Sequence, residues 1–94
     1  MSDIRTRNAT QTSVATSTTS AELAAAGGYD SGLTVYNDSA VDMYLLCGAG
    51  AASSTAFTVK LAANAYWEAP FGYSGRVAAV LASSTGNARV TRFA

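Results

Sequence analysis

Turn-forming clusters interrupt this chain every eight to twelve residues from Thr10 onward, and that rhythm excludes long helices before any other property is considered. Between the clusters the side chains alternate. Leu33 and Val35 share one face against Thr34 and Tyr36, and Phe57, Val59 and Leu61 alternate with Thr58 and Lys60 in Ala56–Leu61. A period of two is the signature of a half-buried strand. Arg76–Leu81 is almost unbroken in apolar character, which suits the centre of a layered β-structure, and Ala88–Phe93 closes the chain as a terminal strand. Tyr66-Trp-Glu68 begins a short strand that Pro70 ends, because proline cannot donate to a ladder. Ala21–Ala26 has helical propensity, but Gly27-Gly28 stops it after six residues, too few for a stable helix, and it reads as a strand. The expected fold is all-β: a small sandwich or jelly roll of seven or eight short antiparallel strands.

The segment Ser31–Cys47 reads as two apolar runs folded back on each other through Asn37-Asp-Ser39. The short polar side chains of that turn can bond their own backbone and tolerate left-handed angles. The expectation is a hairpin whose core face carries Leu33, Val35, Leu45 and Cys47.

A chain of 94 residues has room for one domain. Twenty residues are alanine, whereas Leu, Ile, Val and Phe together number 17. That inventory is poor for a self-sufficient core, yet the formal charge is zero and aromatic residues recur throughout, so the composition indicates a folded domain that gains stability from partners rather than a disordered chain. Charges are balanced in both halves, and no basic footprint for nucleic acid exists. No apolar run reaches the ~18 residues of a membrane span, and the N-terminus lacks the order of a signal peptide, so a soluble protein made inside a cell is expected. Cys47 is the only cysteine; it excludes an internal disulfide and reads as a small buried hydrophobe.

Residues 1–20 read as an extended N-terminal arm and 21–94 as the sandwich domain. Met1–Ala9 is charged, with Ile4 its only bulky apolar residue beside Arg5 and Arg7. Eight of the eleven residues in Thr10–Ser20 are Ser or Thr, with Val14 the only large apolar anchor. Such a segment is either a flexible tail or a strand that pairs along a sheet edge or crosses onto a neighbouring subunit.

No reactive constellation emerges. Without histidine there is no Ser-His-Asp or Cys-His arrangement and no His-containing zinc site. Gly48-Ala-Gly50 resembles the start of a phosphate-binding loop, but Ser53 stands at the third glycine position and no helix follows; the segment Gly48–Thr55 reads as a small-residue flexible loop. Asp38 and Asp42 flank one turn and, with Glu68, are too few oxygens for calcium; solvated turn residues explain them. No catalytic residue, metal or cofactor is expected. Tyr66, Trp67, Phe71 and Tyr73 cluster within eight residues, and three readings stay open: they cap one end of the core, anchor an interface, or stack on a sugar.

The ordered series Gly32-Leu-Thr-Val-Tyr-Asn-Asp-Ser39, Met43-Tyr-Leu-Leu-Cys-Gly48, Ser53-Ser-Thr-Ala-Phe-Thr-Val-Lys-Leu61, Tyr66-Trp-Glu-Ala-Pro70, Tyr73-Ser-Gly75 and Gly86-Asn-Ala-Arg-Val-Thr91 resembles small β-sandwich proteins of tailed bacteriophage virions. The resemblance covers most of residues 10–93 and lies in strand and turn positions. It implies a non-enzymatic structural protein, a capsid decoration or cement protein located on the virion surface and assembled in the bacterial cytoplasm. Its implied partners are the major capsid protein and further copies of itself, as a dimer or trimer, with no nucleic acid and no membrane. Expected contact residues are Ile4, Arg5, Arg7 and Val14 on the arm and Tyr66, Trp67, Phe71 and Tyr73 on the domain. Head-fibre, neck or tail components, and carbohydrate- or receptor-binding modules, are the alternatives.

Overall fold

The computed structural model describes residues 9–27, 32–70 and 72–93. Among them are eight strands: β1 (Ala9–Thr16), β2 (Ala21–Ala24), β3 (Gly32–Asp38), β4 (Met43–Cys47), β5 (Val59–Leu61), β6 (Tyr66–Glu68), β7 (Val77–Leu81) and β8 (Gly86–Phe93). All pairings are antiparallel, in two four-stranded sheets ordered β1-β8-β3-β6 and β2-β7-β4-β5. No helix occurs among the described residues. The all-β expectation holds, and Ala21–Ala24 is a strand as the glycine stop required.

One apolar cluster joins the sheets. Leu33, Val35, Ala88 and Val90 reach in from the first sheet and Leu23, Met43, Leu45, Leu61, Val77, Ala79 and Leu81 from the second, giving a two-layer, sandwich-like body. β7 lies between β2 and β4, and all five of its residues are buried. Its apolar run thus marks the middle of a sheet, as the sequence indicated.

The expected hairpin over 31–47 is not formed. β3 belongs to one sheet and β4 to the other, so residues 39–42 carry the chain across the core instead of between hydrogen-bonded neighbours. The apolar face is nevertheless the anticipated one: Leu33, Val35 and Leu45 are buried, Met43 joins them and Cys47 is half-buried against the same cluster. Two strands facing each other across a core show the same alternation as two paired strands, so periodicity alone does not distinguish the two arrangements.

The crossing is secured by Asn37, whose side chain is wholly buried. Its Nδ2 amide donates to the carbonyls of Val41 at 2.8 Å and of Leu61 and Ala62 at 3.0 Å each, while its Oδ1 accepts from the Ser39 hydroxyl at 2.6 Å. Its backbone is also held, Asn37 N–H donating to Ala65 O and Asn37 O accepting from Asn64 N–H, both at 2.9 Å. Gly86, where β8 starts, lets the crossing pass close by: a Cβ there would overlap Ser39 Cβ and stand 3.2 Å from Ser39 Cα.

Two further elements differ from their expected extents. Ala9–Thr16, inside the segment read as arm, pairs with β8 over its full length without a register shift, so the edge-pairing alternative is realised, on its own chain. The strand expected over Ala56–Leu61 is regular only from Val59; Phe57 remains 42% exposed and packs its ring on Tyr44 instead.

Removing the Asn37 amide strands buried carbonyls, so Asn37→Ala should lower unfolding free energy by about 2–4 kcal/mol. Thr16 supplies the opposite sign. Its hydroxyl is buried without a hydrogen-bond partner, and Thr16→Val should be neutral or stabilising by up to about 1 kcal/mol. Urea melts of both variants check this pair.

Candidate interface

The two sheets treat their outer faces differently. On the β2-β7-β4-β5 sheet the outward side chains Tyr44, Leu46, Ala78 and Val80 form a second apolar cluster with Ala52, from the segment that follows β4. Residues 48–58 are therefore a cover that meets the sheet through Ala52, the one buried residue of the segment, and through the Phe57 ring on Tyr44. Gly48 and Gly50 adopt positive φ of 114° and 102°, which L-residues with side chains rarely occupy. The cover is tied down by Ala52 N–H donating to Ser20 Oγ at 2.9 Å and Thr58 N–H donating to Leu45 O at 2.6 Å.

Arg76 is the main fastening. Its Nε donates to Glu22 Oε1 at 2.7 Å, and its Nη1 to the carbonyls of Gly50 at 2.6 Å and Gly48 at 3.3 Å, joining β2, the cover and the start of β7. Beside it, the Tyr73 hydroxyl donates to Arg76 O at 2.7 Å. Burial pushes the Cys47 thiol above its ordinary range, against a smaller opposing effect of the Thr58 hydroxyl. Burial also raises the Tyr73 phenol, with the nearby Cys47 thiolate adding to the rise.

The outer face of the β1-β8-β3-β6 sheet has no such cover among the described residues. Directly paired residues of antiparallel strands share a face, so the registers assemble rows across it. One row runs Ser13, Arg89, Tyr36, Tyr66; its neighbours run Gln11, Thr91, Thr34, Glu68 and Ala15, Asn87, Asp38. Tyr36 is 36% and Tyr66 61% exposed. Their polar ends are fixed: Tyr36 Oη donates to Asn64 Oδ1 at 3.1 Å, Tyr66 Oη to Glu68 Oε1 at 3.3 Å, and Arg89 Nε to Asp38 Oδ2 at 2.9 Å. Exposed tyrosines and an arginine already restrained in position lose little side-chain entropy on contact, and both types are enriched at protein interfaces.

The expected site residues separate. Tyr66 is on this outer row, but Trp67, the next residue, pairs with Val35 and turns half-buried toward the core. Tyr73 packs against the core from the far loop. Val14, opposite Ala88, is half-buried on the inward face. Ile4, Arg5, Arg7 and Phe71 lie outside the described residues. Asp38 and Asp42 do flank the crossing, each paired with a cation, Arg89 and Lys60 respectively, the latter at 3.4 Å. The aromatic reading missed Tyr36 and Arg89, which are remote from Tyr66 in sequence; the alternation of Thr34 and Tyr36 against Leu33 and Val35 already placed Tyr36 outward.

No family model, curated protein or solved structure matches the chain.

Loss of the Arg76 fastening should free the cover more than the body. Arg76→Ala is expected to speed amide hydrogen exchange at Gly48, Ala52 and Thr58 at least tenfold, at a global cost of about 1 kcal/mol because the ion pair is partly exposed. The titrations have a fixed sign. A folded-state thiol raised above the unfolded value of about 8.5 gives stability that is complete below that pH and lost as pH rises from there through the higher folded-state value. Unfolding free energy should therefore fall on the alkaline side, and less so in Cys47→Ala.

Proposed function

We propose that the protein is a non-enzymatic structural component of a tailed-phage virion, a decoration or cement domain that lies on the outside of the capsid, binds the major capsid protein and reinforces the shell. The observation that carries this reading is the asymmetry of the two outer faces. One is roofed by the chain itself, whereas the other presents Tyr36, Tyr66 and Arg89 in one row that no described residue covers. A sheet face with anchored tyrosines suits broad protein contact.

Topology supports the finer description of the fold as a jelly roll. β1 pairs with β8, β2 with β7, β3 with β6 and β4 with β5, as in one long folded ribbon; wrapping that ribbon sets β8 beside β3 and β7 beside β4. Jelly rolls recur in viral shells and also in lectins, so the architecture favours a shell role without deciding it. The sequence resemblance to phage virion proteins favours the shell. Repetition over many symmetric sites would supply avidity from weak single contacts.

Quantitative mass spectrometry of purified virions tests the reading. A copy number matching the major capsid protein, or a simple fraction of it, is expected. The copy number of a single ring or fibre would indicate a neck, tail or head-fibre part, and absence from virions would overturn the proposal. Capsid binding should weaken at least tenfold in Tyr66→Ala, with far-UV circular dichroism unchanged. Because β1 is paired within the sheet, a truncation testing the arm must stop at residue 8.

Carbohydrate binding is the competing reading, since exposed tyrosines also stack on sugars. A glycan array compared with Tyr66→Ala separates it. Trp67 is unsuitable as the control because its side chain faces the core.

A further inference from the structure

Four strands end the two sheets, and three of them are blunted. β5 and β6 have three residues each, and β2 has four with a register shift between Glu22 and Ala24. Shortness and irregularity are the usual protections against edge-to-edge pairing. β1 has neither. It runs eight residues in unbroken register with β8, carries no charge and no proline, and is exposed from Ala9 to Ser13. Among the described residues nothing pairs with its other side.

We propose that β1 is the dimerisation edge of this protein, pairing antiparallel with β1 of a second copy to join the two four-stranded sheets into one of eight. This goes beyond the shell reading and does not rest on it.

Symmetry restricts how the pairing is made. A two-fold axis that places one strand antiparallel beside its copy stands perpendicular to the sheet, so inward residues meet inward residues and outward meet outward. Even-numbered β1 residues face inward, opposite Ala88 and Val90 of β8, and odd-numbered ones outward, opposite Arg89 and Thr91. Two registers give the longest overlap within β1. In one, Thr12 meets Thr12 of the second copy, Thr10 meets Val14 and Gln11 meets Ser13. In the other, Ser13 meets Ser13, Thr12 meets Val14 and Thr10 meets Thr16. Every pair is uncharged, and in each register the Thr–Thr and Thr–Val pairs bring together β-branched residues, the kind that favours strand pairing. A second copy of the chain fits for this reason: the edge is complementary to itself, with no like charges brought together.

The same symmetry has a functional consequence. The perpendicular axis keeps both outer faces on one side, so the Tyr36–Tyr66 rows of the two copies form one doubled surface. A heterologous partner strand would not produce that arrangement.

Two measurements on the purified full chain decide the matter. Sedimentation equilibrium should give twice the 9.6 kDa chain mass, and Thr12→Lys, which places a charge on the edge, should return it to a monomer with unchanged far-UV circular dichroism. Gln11→Lys, on the opposite face of β1, serves if Thr12→Lys does not fold. In a Cys47→Ser background, Thr12→Cys or Ser13→Cys, according to register, should oxidise to a disulfide-linked dimer, because directly opposed residues lie within the Cα separation that disulfides span. A mass that does not respond to a lysine on β1, or no cross-link at either position, overturns the proposal.

Discussion

The architecture turns on a single amide. At the end of β3 the chain must leave one sheet and enter the other, and a crossing inside a small protein exposes backbone carbonyls to a dry interior where each needs a donor. Asn37 supplies two N–H groups among three carbonyls from two separate segments, and its own oxygen is satisfied by Ser39. The same residue therefore ends β3, shapes residues 39–42 and holds the turn between β5 and β6. A leucine of similar size would fill the space but satisfy none of these groups.

Alanine abundance has a geometric use that composition alone does not reveal. Ala78 is fully buried and Ala52 nearly so because a second layer, the cover formed by residues 48–58, lies directly on the outside of one sheet. Bulky side chains at these positions would hold the cover away. The consequence is a molecule with one core between the sheets and a small second apolar cluster on the outside of one of them. Its polar fastenings, Asn37 inside and Arg76 outside, do work that aliphatic bulk performs in larger domains. Arg76 does so in partial solvent exposure, where its several simultaneous partners matter more than any single ion pair.

Strand positions were legible because alternation and turn residues are local. Leu33 and Val35 against Thr34 and Tyr36 needed no tertiary information, and neither did the burial of Val77–Leu81. Partnership was not legible. Whether Asn37-Asp-Ser39 joins paired strands or strands across a core depends on the positions of β7 and β8, more than thirty residues away. Phe57 shows the converse error: its spacing from Val59 and Leu61 is that of a core residue, but the chain is not yet a strand there and the ring finds Tyr44 on the outside. Tyr66 and Trp67 were grouped by nearness in sequence, although neighbours on a strand point to opposite faces. That parity was available from the residues; which of the two faces inward was fixed only by the pairing of Trp67 with Val35.

A domain of this size leaves a large fraction of its surface exposed, so small additions of buried area weigh heavily on its stability. Among the described residues the main cluster includes Ala24, Ala79 and Ala88, each contributing little apolar area. Any partner that binds only the folded chain then adds stability by mass action, in proportion to the logarithm of its concentration over its dissociation constant. An uncovered tyrosine row and an unblunted edge would be liabilities in a protein that acts alone at low concentration. Covered by a partner, each would add the buried area that a thin core lacks.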